Sequence, residues 1–71
     1  MKATAIQNHI RRLRFEANEM SQAALAQRIG VTRQTLNAIE AAKYSPTLEL
    51  AFKIALVFDQ PIDAVFRYHA Q

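Results

Sequence analysis

The stretch MSQAALAQRIGVTRQTLNAIE, residues 20–40, decides the fold of this chain. Ser21 and Thr32 carry hydroxyl groups of the kind that cap helix N-termini. Gly30 is the one glycine of the chain, and it stands where a left-handed residue ends a helix. The stretch therefore predicts two short helices, 22–29 and 33–41, joined by a tight turn.

Apolar residues on both sides of this stretch predict three further helices. They recur at intervals of three and four, as on the buried face of a helix, and Thr47 offers a cap for the fourth helix. The predicted ranges are Thr4–Ala17, Leu48–Phe58 and Ile62–Phe66. The predicted fold is all-α, a compact five-helix bundle with a helix-turn-helix at about 21–41. Residues 1–66 form one domain, and 67–71 form a polar tail.

The composition excludes several classes of protein. The chain has 71 residues, no cysteine, two prolines and 51% hydrophobic residues. It can therefore pack a core but forms no disulfide, and it has too few turn residues for an all-β fold. The longest apolar run, Ile54–Phe58, is far shorter than the ~20 residues that span a bilayer. We expect a soluble, cytoplasmic protein.

The net charge of +3 is unevenly distributed. The first 43 residues hold seven basic and three acidic side chains, whereas the rest of the chain holds two basic and three acidic ones. A basic half in a protein of pI ≈ 9.8 favours a polyanionic partner such as nucleic acid.

The outward side of the predicted third helix carries Arg33, Gln34, Asn37 and Ala38. The major groove of DNA, ~12 Å wide, admits a helix with such side chains. Arg33 can donate two hydrogen bonds to guanine, and Gln34 can pair with adenine. Asn37 can reach a base or a phosphate, and Ala38 can contact a thymine methyl group. Gln22, at a helix N-terminus, can meet a phosphate. Alternatively, these residues form an ordinary solvated surface.

The same stretch resembles the Xre/Cro group of phage-repressor-like helix-turn-helix regulators, in particular a short, single-domain bacterial subgroup. The resemblance continues through KYSP at 43–46, LELAFKIA at 48–55 and VF at 65–66, and so covers roughly residues 6–66. It implies that Arg14 pairs with Glu40 inside the fold. It also implies a set of DNA-facing residues, Gln22, Thr32, Arg33, Gln34 and Asn37, with Lys43 and Tyr44 near the backbone.

Two positions depart from the pattern of this group. Ala42 and Asp59 stand where its members usually have glycine. Ala42 predicts either about 1 kcal/mol of strain after the third helix or an altered loop. Asp59 is a milder departure, because aspartate adopts the left-handed conformation more readily.

The fourth helix is apolar nearly all round. One buried stripe cannot hold Leu50, Phe52, Leu56 and Val57 together. Their excess favours a homodimer formed through the fourth and fifth helices, with contacts from Leu50, Leu56 and Val57. Regulators of this type bind paired half-sites ~34 Å apart. We therefore expect a DNA-binding transcriptional regulator, a repressor, acting as a dimer on double-stranded DNA.

Two other functions remain open. One is an antitoxin-like module that binds DNA and covers a protein partner with its fourth helix. The other is a protein-interaction domain that has lost DNA binding. An enzyme is not expected, because Ser21 and Ser45 are the only serines and both fit cap or loop positions. His9 and His69 have no companions for a metal site, so no metal or cofactor is expected.

Overall fold

A computed structural model of the protein describes residues 4–68, which form five helices and two short strands. In chain order the elements are β1 (Ile6–Asn8), α1 (Ile10–Glu16), α2 (Gln22–Ile29), α3 (Arg33–Glu40), α4 (Leu48–Val57), α5 (Ile62–Val65) and β2 (Phe66–Tyr68). The prediction of a mainly helical fold with five helices and a helix-turn-helix is confirmed. No helix among these residues is long and apolar enough to cross a bilayer.

Three hydroxyl side chains begin the central helices, as predicted. The Oγ of Ser21 accepts the backbone N–H of Ala24, and Thr32 and Thr47 each accept the N–H three residues on. These caps satisfy amide groups that have no partner inside the helix. The helices enclose one apolar core, whose fully buried large side chains are Ile10, Leu25, Leu36, Ile39, Ile54 and Val65.

The predicted start of the first helix at Thr4 is wrong. Residues Ile6–Asn8 form β1, which pairs antiparallel with β2 in the register Ile6↔Tyr68 and Asn8↔Phe66. The side chain of Asn8 ends the strand, because its Oδ1 accepts the N–H of Ile10 at 3.1 Å and its Nδ2 donates to the carbonyl of Ile39 at 2.9 Å. The helix can begin only after this junction.

The far end of the chain also differs from the prediction. The fifth helix ends at Val65, and Phe66 belongs to β2 instead of the helix. Arg67 and Tyr68, expected in a polar tail, pair with β1. The carbonyl of Val65 accepts the N–H of His9 at 2.8 Å, so the strands join the two ends of the domain. Residues 69–71, including His69, lie outside the described residues.

Among residues 4–68, five adopt left-handed backbone conformations, and one of these five is glycine. Gly30 has φ 78° and ends α2 as predicted. Ala42 and Asp59 have φ 58° and 53°, so the structure retains the left-handed turn without glycine at both departures from the family pattern. Asn18 and Glu19 adopt the same conformation between α1 and α2. The alternative of an altered loop after α3 is therefore excluded, and Ala42 carries the strain.

We expect opposite changes in stability from Gly30→Ala and Ala42→Gly. A Cβ at Gly30 would meet no atom within 4 Å, so the loss of about 1 kcal/mol comes from the left-handed backbone alone. Ala42→Gly relieves the same strain and raises the free energy of unfolding by up to about 1 kcal/mol. Urea denaturation followed by circular dichroism measures both. Gly30→Asn is the control and should cost less than Gly30→Ala; equal stability of all four proteins would contradict this account.

Candidate nucleic-acid interface

The helix α3 presents a polar face to solvent and an apolar face to the core. Leu36 and Ile39 are buried, with 0% and 1% of their surface exposed. The opposite side carries Arg33, Gln34 and Asn37, all of them exposed, and the half-buried Ala38. At 100° per residue, the side that begins at Arg33 and ends at Ala38 spans about 140° of the helix. The predicted reading face is thus free of contacts with the protein interior.

Two further predicted residues lie at the start of α2 and α3. Thr32 is the exposed cap of α3, and its hydroxyl also hydrogen-bonds to that of Thr35 at 3.0 Å. Gln22, the first residue of α2, is half-buried and points toward α3. Its Nε2 donates to the Oδ1 of Asn37 at 3.2 Å and to the Oε1 of Glu40 at 3.1 Å. Gln22 therefore connects the two helices of the motif.

An ion pair between α1 and α3 lies beneath this face. The Nε of Arg14 is 2.7 Å from the Oε2 of Glu40, and its Nη2 is 2.9 Å from Oε1. The two side chains are only 15% and 8% exposed. The third nitrogen, Nη1, donates to the carbonyl of Met20 at 2.9 Å, just before α2. The predicted pairing of Arg14 with Glu40 is confirmed, and it joins α1, α3 and the segment that leads into α2.

Lys43 and Tyr44 follow the left-handed residue that ends α3. The backbone N–H of Lys43 donates to the carbonyl of Ala38 at 3.0 Å, and its side chain is exposed. Tyr44 is 45% exposed and lines a shallow depression with Val31 and with Lys53 of α4. Its ring therefore lies between the turn of the motif and α4, with its other side open to solvent.

Arg11, one of the basic residues of the first half of the chain, lies beside the predicted reading face. Arg11 is exposed and lines a depression of about 420 Å³ together with Arg14, Gln22 and Asn37. The spacing of Arg11 and Arg14 in the sequence indicates this position of Arg11. Residues three apart share one side of a helix, so a pairing of Arg14 with α3 brings Arg11 toward the same helix.

The surface around α3 is open and polar. Among residues 4–68, no group of three or more His, Asp or Glu side chains could hold a metal ion. The depression at Arg11 is open and mainly polar in its lining. The outward side of α3 offers a row of hydrogen-bond donors and acceptors, with basic side chains along its edge.

A second exposed surface lies on α4 and is apolar. Leu48, Phe52 and Leu56 are 71%, 55% and 80% exposed. Their spacing of four residues aligns them on one side of the helix; we call them the α4 stripe. The prediction that Leu50 and Val57 form dimer contacts needs correction. Both residues are half-buried and pack against the core of their own chain.

A helix-turn-helix with an exposed polar second helix defines a class of nucleic-acid-binding domains. A helix-turn-helix family model matches residues 10–65 of this chain. The chain belongs to the Xre/Cro-like helix-turn-helix family, a family of DNA-binding transcriptional regulators.

Relatives occur in archaea and in bacteria. An uncharacterized HTH-type transcriptional regulator of Methanocaldococcus jannaschii is 49% identical over 51 residues, 72% of this chain and 77% of that protein. One from Bacillus subtilis is 41% identical over 61 residues, 86% of this chain and 91% of that protein. The resemblance is thus not confined to a bacterial subgroup. A crystal structure of a candidate DNA-binding protein from Bacteroides fragilis has a similar fold, with a TM-score of 0.77 and 19% identity over 87% of this chain and 98% of that one.

Removal of one partner from the buried ion pair should destabilise the domain strongly. Glu40→Ala leaves the charge of Arg14 without its counter-ion, which typically costs about 3–5 kcal/mol and thus most of the stability of so small a domain. Glu16→Ala is the control, because Glu16 and Arg12 are exposed and 3.8 Å apart. That change should cost less than about 1 kcal/mol. Urea denaturation measures both, and equal losses would contradict a structural role for the buried pair.

Proposed function

We propose that this protein is a sequence-specific transcriptional regulator that inserts α3 into the major groove of double-stranded DNA. The observation that carries the proposal is the two-sided character of α3, whose Leu36 and Ile39 are buried while Arg33, Gln34 and Asn37 stay exposed. These exposed side chains can reach the base edges of a groove. Arg33 and Gln34 select bases, and Asn37 assists them.

Contacts with phosphates hold the domain in register on the duplex. The exposed Lys43 follows α3, and Arg11 lines the same depression as Asn37. Two cations that flank the reading helix can each neutralise a phosphate of the groove wall. Thr32 and Tyr44 offer hydroxyl groups at the start and end of the same surface. A repressor needs only to occupy its DNA site. This surface supports such binding, so we propose that the protein is a repressor.

Arg33→Ala and Arg11→Ala should weaken DNA binding in different ways. Loss of Arg33 should cost about 1–3 kcal/mol on the preferred site and relax the choice at one base pair. Loss of Arg11 should weaken specific and random DNA equally and lower the salt slope by about 1. Fluorescence anisotropy at several salt concentrations measures both effects. Arg12→Ala is the control. It removes the same charge as Arg11→Ala, but Arg12 is directed to Glu16. Equal loss of specific and random binding in Arg33→Ala would refute the reading role.

The α4 stripe supports a second copy of the chain as its partner. Exposed side chains as large as Leu48, Phe52 and Leu56 on one side of a helix are typical of an interface. Two copies related by a two-fold axis would place two reading helices on successive turns of DNA, ~34 Å apart. Burial of the stripe would also stabilise a domain with a small core.

Leu56→Glu should convert a dimer to a monomer. Leu56 is the most exposed residue of the stripe, at 80%, and a buried carboxylate without a partner is costly. Sedimentation equilibrium at high micromolar concentration should give twice the 8.1 kDa chain mass for the wild type and the chain mass for the variant. Phe15→Glu is the control, because Phe15 is an exposed apolar residue of α1 outside the stripe. A monomeric wild type would exclude the homodimer and would favour the antitoxin-like alternative, in which another protein covers the stripe.

A further inference from the structure

The network around Glu40 fixes the orientation of one side-chain amide. The guanidinium of Arg14 can only donate hydrogen bonds, and the carboxylate of Glu40 can only accept them. Both oxygens of Glu40 accept from Arg14, and Oε1 also faces Gln22, whose Nε2 lies 3.1 Å away. The amide of Gln22 must therefore turn its nitrogen, and not its oxygen, toward Glu40.

The same nitrogen then orients Asn37. The Nε2 of Gln22 carries two hydrogens, and its second acceptor is the Oδ1 of Asn37 at 3.2 Å. An amide can exchange its oxygen and nitrogen by a half-turn about its last bond, so its neighbours decide which end points where. With Oδ1 held by Gln22, Asn37 keeps its Nδ2 free. That nitrogen has no hydrogen-bond partner among residues 4–68, and the residue is exposed.

We propose that Arg14, acting through Glu40 and Gln22, holds Asn37 with its N–H donors toward the DNA, so that Asn37 reads guanine. This inference rests on the proposed function and specifies it further. Asn37 contacts the base, whereas Gln22, Glu40 and Arg14 are positioning residues. In this arrangement the side chain of Gln22 uses both of its N–H groups within the protein, so the inference gives that side chain a positioning role in place of the predicted phosphate contact.

The major-groove edges of the bases make this orientation selective. Guanine presents two acceptors, N7 and O6, to a donor from the protein. Adenine presents the acceptor N7 beside the donor N6–H₂, and cytosine presents only a donor. An asparagine that is free to turn can pair with adenine through both ends of its amide. An asparagine whose Oδ1 is held by Gln22 offers only its N–H donors. It therefore favours guanine, which presents two acceptors, over adenine.

Selection of bound sequences from a pool of random duplex DNA tests the inference with the full chain. Wild type should select a site with guanine at one position, and Asn37→Ala should lose that preference alone. Gln22→Met removes both N–H donors and keeps the length of the side chain without a second carboxylate beside Glu40, so the amide of Asn37 is free to turn its Oδ1 toward the DNA. The guanine-over-adenine ratio at that position should fall by about tenfold or reverse.

Two further variants separate the orientation of Asn37 from the loss of an amide in α2 and from folding. Gln27→Met makes the same change at an exposed position of α2 and should leave the selected base unchanged. Asn37→Asp keeps an acceptor for Gln22 but presents a carboxylate to the DNA, so it should favour bases that donate, cytosine or adenine. Because Asn37 is exposed, this variant should fold as the wild type does, which a thermal melt checks.

The outcomes distinguish this inference from the function on which it rests. If the wild type selects no sequence, the proposed function fails. If the wild type selects a site but places adenine at the position that depends on Asn37, the orientation is wrong. Guanine retained with the same preference by Gln22→Met, or a site unchanged by Asn37→Ala, would equally overturn the inference while leaving the regulator intact.

Discussion

The ion pair between Arg14 and Glu40 is the interaction on which the rest of this structure depends. It joins α1 to α3, and the remaining nitrogen of Arg14 binds the carbonyl of Met20 before α2. A largely buried charge pair stabilises a fold only where all of its hydrogen bonds are satisfied. Here Arg14 has two partners and Glu40 has a second donor in Gln22. Any shift of α3 would break several charged hydrogen bonds together, so the reading helix is held in one position.

The turns that end the helices carry backbone strain. Within the described range 4–68, four residues other than glycine adopt left-handed conformations, Asn18, Glu19, Ala42 and Asp59. Each is followed or accompanied by hydrogen bonds that close the end of a helix, and at Ala42 the carbonyl also accepts the N–H of Thr4 at 3.1 Å. These contacts offset the cost of the conformation. The strain of these turns lowers the stability of a chain with so few glycines. A partner on the α4 stripe would raise that stability.

Much of the proposed reading face could be predicted from the sequence, because its signals are local. The helix period places Ile39 and Asn37 on opposite sides, and a capping hydroxyl fixes where that period begins. The contacts of Gln22 could not be predicted in this way. They depend on the angle between α2 and α3, which is set by packing and by the ion pair below. The place of Arg11 beside α3 likewise depends on how α1 packs against its neighbouring helices.

The sequence by itself determined the helix-turn-helix, its capping residues and the turn at Gly30, since each depends on residues within a few positions. Only the tertiary structure decided the conformation of the two ends. Ile6 continues the apolar period of α1, yet it forms a strand because β2, some sixty residues later, supplies hydrogen bonds to its backbone. Local periodicity cannot reveal such a partner. The folded chain likewise decided which apolar residues of α4 stay exposed, because burial depends on what packs against the helix.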